Sequence, residues 1–418
     1  MTKYSALGLL RGAFNGQSHW QRAWRDPEPK ASYDVVIIGG GGHGLATAYY
    51  LAKVHGITNV AVLEKGWIGG GNTGRNTTLV RSNYRLKPLH DFFEFGMGLW
   101  RHLSDDLNYN VMFSPRGAMF LGHSDSDMIK LAERGDAMRA SGIDAELLTR
   151  DQVARQEPLI DMSRDARFPV EGGLIQRSGG TARHDAVAWG YARAADALGV
   201  DIIQKCEVTG MIRQGDAVVG VETTRGPISA GKVGICVAGH SGHVAAMAGL
   251  RLPIESQTLQ ALVTEGVKPM IRSVIMSQSL HCYISQSDKG GIVMGGDPDN
   301  WLSYAQRGNP MITEGAIAQA IAIVPALSRL RMLRTWSGVT DMSFDGSPII
   351  GTTPVPNLYL NGGWCYGGFK ATPASGWTFA HTLATGAPHP LNAPFDLDCF
   401  RRGDTIDENA AGPMPNHR

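Results

Sequence analysis

A chain of 418 residues can bury a sizeable core and form roughly two or three domains. Its 39 Lys and Arg nearly cancel its 38 Asp and Glu, so no global field favours nucleic acid or an anionic membrane, and small-molecule chemistry is expected instead. Five scattered cysteines (Cys206, Cys236, Cys282, Cys365, Cys399), odd in number and never spaced C-x-x-C, point to a reduced, cytoplasmic protein without a metal cluster.

Residues 1–30 form an arm carrying Leu7, Leu9, Leu10, Phe14, Trp20 and Trp24. No apolar run in it is long enough for a signal sequence or a membrane span, so no export is expected; the arm either wraps its own domain or docks on a partner. Asp34 to Ile38 reads as a buried parallel strand running into G-x-G-x-x-G at Gly39, Gly41 and Gly44. This is a dinucleotide-binding turn. Gly39 permits the sharp bend, Gly41 lets backbone N–H groups approach a pyrophosphate, and Gly44 allows close helix packing, while the following helix, Leu45 to Val54, aims its positive end at the phosphates. A second strand, Asn59 to Leu63, ends in Glu64, 20 residues beyond Gly44, where a carboxylate accepts the ribose hydroxyls of an adenosine.

The next stretch, Lys65 to Arg81, is again glycine-rich and dense in hydrogen-bonding side chains, a composition that suits a segment covering a flavin and favours FAD over NAD. From about 90 to 160, helical faces (Leu99, Trp100, Leu103; Met128, Leu131, Met138) alternate with a strand after Phe113, as in a substrate domain inserted into the nucleotide domain. The stretch Gly179 to Trp189 opens a helix that stops at Gly199 and sets His184 at or just before its positive end, which disfavours the charged imidazole; on spacing alone a capping or hydrogen-bonded histidine is the other reading. The strand at Asp201 leads to Val208, where an edge would lie against adenine. A hairpin (Val218 to Thr224, Pro227 to Ala230) and a strand (Val233 to Ala238) return to the nucleotide domain. His240 and His243 lack a third ligand type nearby and so do not make a metal site. Strands from Ile254 to Gly296 suit an antiparallel floor for a substrate pocket. A helix from Ile312 to Leu330, interrupted by Pro325, then precedes the strand Leu358 to Asn361, a glycine-rich turn and a last helix.

Taken together, the Gly39 to Gly44 turn, the A-G-H turn after Val237, W-S-G-V-T-D with D-G-S-P-I-I-G, and G-G-F-K-A-T-P resemble the amine-oxidising flavoproteins related to D-amino-acid oxidase, over about residues 32 to 400. Within that family, V-L-E-K-G-W, G-N-T-G-R-N-T-T-L-V-R-S-N-Y and A-R-H-D-A-V-A-W are similar to the β-subunit branch of the heterotetrameric sarcosine oxidases. The resemblance implies an α/β fold: a glutathione-reductase-like FAD-binding Rossmann domain (31–90, 160–250, 335–400) interleaved with an antiparallel-sheet substrate domain (91–159, 251–334). It also implies non-covalent FAD, FMN attached covalently to His184, tetrahydrofolate and NAD in an α subunit, γ and δ partners, and oxidative demethylation of sarcosine with peroxide formation. The cofactor contacts it implies are Gly39, Gly41, Gly42, His43, Gly44, Glu64, Lys65, Asn72, Arg75, Thr77, Thr78, Leu79, Arg81, His184, Val208, Gly363, Gly368 and Lys370. Arg81 and Lys370 resemble the pair that holds the substrate carboxylate. No cysteine stands at Trp336 to Gly338, and neither lysine nor histidine stands between Val293 and Asp297. Both depart from single-chain sarcosine oxidases and direct oxygen to the second flavin. Another secondary amine, such as proline or dimethylglycine, or a non-catalytic flavin-holding role remain the rival readings.

Overall fold

The computed structural model describes residues 5–16, 18 and 22–407. Trp20, counted in the arm, lies outside the described residues. Ser32–Ile38 sits in the middle of an eight-stranded sheet, with Val60–Glu64 and Ile228–Ile235 parallel on either side. Asp201–Gln204 extends one flank and Leu358–Gly362 the other, both parallel, and Ile349–Thr352 closes the edge antiparallel. The hairpin pair Val208–Gln214 and Ala217–Thr223 hangs from Ile228–Ile235.

The uninterrupted apolar run of the first strand has a physical cause: both faces of the sheet are covered. Val35 and Ile37 pack into one core, against the helices Gly42–His55 and Gly368–Thr385, while Val36 and Ile38 join a second core on the opposite face. The two helices touch closely enough that a Cβ on Gly376 would stand 2.4 Å from that of Ala46.

A second eight-stranded sheet runs in the order Met332–Ser343, Ile254–Gly266, Gly291–Leu302, Cys282–Gln286, Val274–Ser277, Ala118–Gly122, Gly172–Gln176 and Glu146–Thr149. It is antiparallel except where Val274–Ser277 meets Ala118–Gly122. Gly172–Gln176 and the Trp336 to Ser343 part of the long edge strand therefore belong to this sheet, although their positions in the chain suggested the nucleotide domain. The helix Lys87–Asp106 likewise packs in the first sheet's core, with the Trp100 Nε1–H donating to the Lys370 carbonyl at 2.8 Å. Strand alternation specifies two faces but not which sheet receives them. The helix expected around Ile312 runs Pro310–Ile323, and a 3-10 turn Pro325–Arg329 takes the remainder, because Pro325 cannot continue the hydrogen-bond ladder. No described helix is long and apolar enough to cross a membrane.

Candidate active site

The glycine turn has the geometry its spacing predicted. Gly39 adopts φ +112, and a Cβ there would lie 2.3 Å from the Cys236 carbonyl oxygen; a Cβ on Gly44 would lie 2.0 Å from the Gly39 carbonyl oxygen. Neither position admits a side chain. Around a Cβ on Gly41 the single near atom is Thr73 Oγ1 at 3.1 Å, so this glycine keeps space open beside the helix N-terminus rather than filling a packed core. The Gly42 N–H donates to that same Oγ1 at 2.9 Å. Glu64 ends its strand with both carboxylate oxygens held, accepting from Gly40 N–H at 2.9 Å and Gly66 N–H at 2.7 Å. His43 ties the turn to the last helix. Its Nε2 contacts the Gly368 carbonyl at 2.8 Å, its Nδ1 contacts Ser375 Oγ, and its ring stacks on Trp364. Burial pushes its pKa down to about 4, so the ring is neutral at ordinary pH.

The covering segment is clamped from the far side. Asn72–Arg75 forms a 3-10 turn; Arg75 donates to the Gly70 and Gly71 carbonyls, and Trp336 Nε1–H donates to the Arg75 carbonyl at 2.7 Å. Asn76 Oδ1 accepts from the Thr78 N–H at 2.6 Å, helping to hold Thr78 in its left-handed conformation at φ +69.

Between the two sheets' segments lies a cavity of about 680 Å³. The predicted cofactor contacts all line it except Gly44, Gly363 and His184. Gly44 packs under the turn. Gly363 turns away at φ +70 toward Ile349 and bonds its N–H to Asp341. His184 stands at the first turn of the helix His184–Ala197, its Nδ1 buried without a partner among the described residues. Burial lowers its pKa, Asp185 opposes that, and the charges of Arg183, Arg334 and Lys289 lower it further.

Arg81 and Lys370 come together in the cavity wall, close enough for the Arg81 charge to add to burial in pushing the Lys370 ammonium well below its ordinary range. Lys370 Nζ donates to the Tyr366 carbonyl at 2.7 Å; Arg81 donates to Asn83 Oδ1 at 2.7 Å, with its guanidinium over the rings of Tyr84 and Phe120. Two cations facing one cavity are costly without an anion between them, and an anion bound there would relieve that cost. Open N–H groups at a helix end, a carboxylate at the tip of the neighbouring strand and an apolar rim at Val208 fit the pyrophosphate, ribose and adenine of FAD.

Residues 34–382 match the family of FAD dependent oxidoreductases designated DAO. The chain belongs to that family. It is 59% identical to the sarcosine oxidase subunit beta of Rhizobium meliloti (strain 1021), over 99% of each chain. To the protein of the same name from an Arthrobacter species it is 51% identical, over 95% of this chain and 98% of the relative. Among solved structures, it resembles the L-proline dehydrogenase of P. horikoshii with a TM-score of 0.84 at 26% identity, over 91% of this chain and all of that one.

In this FAD-dependent oxidoreductase some cavity residues escaped sequence reasoning. Asp341 is fully buried and accepts from the N–H groups of Gly363 and Trp364, yet its Oδ2 has no partner among the described residues; burial pushes its carboxyl up to about 6. Tyr366 lines the cavity beside Lys370, and burial raises its phenol. The W-S-G-V-T-D string contained Asp341, but an aspartate late in a strand carries no sign of which face it occupies.

Proposed function

We propose that this chain is the sarcosine-oxidising subunit of a multi-subunit flavoenzyme, yielding glycine and formaldehyde, or methylene-tetrahydrofolate where an α subunit supplies tetrahydrofolate, with hydrogen peroxide as the reduced product of oxygen. The observation that carries this reading is full-length identity of 59% to a sarcosine oxidase subunit beta, combined with Arg81 and Lys370 in one cavity wall. FAD, when bound, supplies the two-electron acceptor. The protein's part is to bind and orient. Glu64, the Gly39 to Gly42 turn and the Asn72 to Thr78 cover hold the cofactor, and Arg81 and Lys370 meet the carboxylate of a small amino acid so that its N-methyl group has a fixed direction.

His184 is the proposed attachment point of a covalent FMN. Its unpartnered Nδ1 and suppressed charge support this, since a neutral ring keeps its nucleophilic lone pair, and Arg183, Arg334 and Lys289 offer charge for a phosphate. The α, γ and δ partners, NAD in the α subunit, a cytoplasmic location and the division into a cofactor lobe and a substrate lobe belong to the same reading. A second reading, another secondary amine such as proline, is favoured by the likeness to L-proline dehydrogenase. Anaerobic bleaching of FAD by a panel of sarcosine, proline and dimethylglycine separates them; no bleaching by sarcosine overturns the first.

A further inference from the structure

Ser82, Asn83 and Tyr84, just beyond the strand Leu79–Val80, are buried although they have no regular structure, and their neighbours pin them one by one. Ser82 N–H donates to Gln176 Oε1 at 2.9 Å, Gln176 Nε2 donates back to Ser82 Oγ at 2.7 Å, and that hydroxyl donates to Glu94 Oε2 at 2.7 Å. Arg134 donates to the Asn83 carbonyl at 3.4 Å, His90 Nε2 meets the Tyr84 carbonyl at 2.6 Å, and the Tyr84 ring stacks on Phe93. Backbone held on both sides in this way locks the side chain between. Asn83 is 0% exposed; its Oδ1 accepts from Arg81 Nη1 at 2.7 Å, and its Nδ2 has no partner among the described residues. A guanidinium carries donors only, so it takes the oxygen end of the amide and leaves the nitrogen end orphaned. An unpaired buried donor is a cost that needs a reason, and here the reason is Arg81.

The acceptor given to Arg81 is neutral, and among the described residues no carboxylate pairs with it. Glu94, the acid that touches this loop, is taken up by Ser82 and by Arg101 at 3.1 Å. The Arg81 guanidinium lies over the Tyr84 and Phe120 rings, 5.0 and 5.5 Å from their centres, so its N–H edge is what remains for a ligand. Its charge is felt at Lys370, whose ammonium it helps to push down. A carboxylate in place of the Asn83 amide would hold the guanidinium equally well but cancel its charge; an amide holds it and leaves the charge intact. We infer that Asn83 is a positioning residue: it fixes the Arg81 guanidinium through a neutral acceptor, so that the cavity keeps a full positive charge for the carboxylate of the substrate. Asn83 stands behind the wall, between Arg81 and Tyr84, which line the cavity on either side of it. It acts through Arg81 alone, and this inference rests on the carboxylate role proposed above for that residue.

The test uses the purified complex with its flavins and two probes: methoxyacetate, a carboxylate without an amine, and methoxyacetamide, its uncharged amide. Each is titrated by the change it causes in flavin absorbance, with anaerobic reduction by sarcosine measured alongside. Asn83→Asp keeps the shape of the side chain and sets a negative charge against Arg81. In that variant methoxyacetate should bind roughly 10- to 100-fold more weakly, while methoxyacetamide stays within about threefold of the parent, because like charge repels the one probe and not the other. Half-saturation by sarcosine should rise with the loss of methoxyacetate affinity. Asn83→Ala, which frees the guanidinium without cancelling its charge, should fall between, with methoxyacetate weakened about three- to tenfold. Parent-like methoxyacetate binding in Asn83→Asp at normal flavin content, or equal weakening of both probes, overturns the inference. A parent that binds no methoxyacetate removes the carboxylate role of Arg81 and the inference with it. A parent that binds methoxyacetate but is not bleached by sarcosine removes the sarcosine reading alone, and the two titrations still decide the role of Asn83.

Discussion

Replacing Lys370 by Met should move binding and stability in opposite directions. The side chain is 6% exposed, and among the described residues its three N–H donors find one acceptor, the Tyr366 carbonyl, while Arg81 repels its charge. In the free protein this ammonium is a cost. A Met of similar length removes it, so the melting temperature should hold or rise, as when buried charges give way to apolar side chains. For a bound carboxylate the balance reverses. One charge-assisted hydrogen bond in a dry wall is worth about 1.5–3 kcal/mol, or roughly a 10- to 150-fold weaker half-saturation by sarcosine in anaerobic FAD reduction. The pH dependence has a definite sign. Because folding lowers the lysine's pKa, the unfolded chain binds more protons over the interval between the two values; the destabilisation is complete below the folded pKa and is relieved as pH rises toward the ordinary lysine range. Lys370→Met should lose that gain at alkaline pH. Unchanged half-saturation by sarcosine at normal flavin content would refute the carboxylate role, and a large drop in melting temperature would refute the view of Lys370 as a strained cation.

Glu64→Ala should weaken FAD retention by about 1–3 kcal/mol, because it removes the ribose acceptor and leaves the Gly40 and Gly66 N–H groups unpaired; equilibrium dialysis against FAD that shows no change would dismiss the role. His184→Asn should leave FAD bound but abolish flavin that stays with the protein after acid precipitation, and attached flavin in that variant would exclude His184 as the linkage. His43, with a folded pKa of about 4, contributes stability above its ordinary value of 6.5 that is lost as pH falls toward about 4. His43→Gln should therefore show a shallower fall in melting temperature between those pH values, and parallel curves would count against a buried neutral ring.

The cofactor half of the site was legible because glycine is the one residue its geometry admits. Gly39 and Gly44 each stand where a Cβ would strike a carbonyl oxygen, so the backbone constraint is written directly into composition and spacing. Lys370 was legible for a related reason, following glycines that let the chain lie against a ligand. Asp341 and Asn83 were not. Their places depend on a strand pairing and on side-chain anchors tens of residues away, and local pattern carries none of that. Pairing also decides that Gly172–Gln176 joins the second sheet, since its five residues would suit either.

His43 and Gly376 make the two ends of the chain interdependent. The glycine turn appears early in synthesis, yet the helix N-terminus that faces the phosphates is braced by Gly368 and Ser375, and its flank is closed by Gly376 against Ala46. The strands beside Ser32–Ile38 arrive in the order Val60–Glu64, Ile228–Ile235 and, one place further out, Leu358–Gly362. A ribosome must therefore release the chain beyond Gly376 before a flavin can find a finished berth. Loading the cofactor is a late event in the life of each molecule, and chains cut short before Gly368 should be discarded empty rather than stored as half-active enzyme.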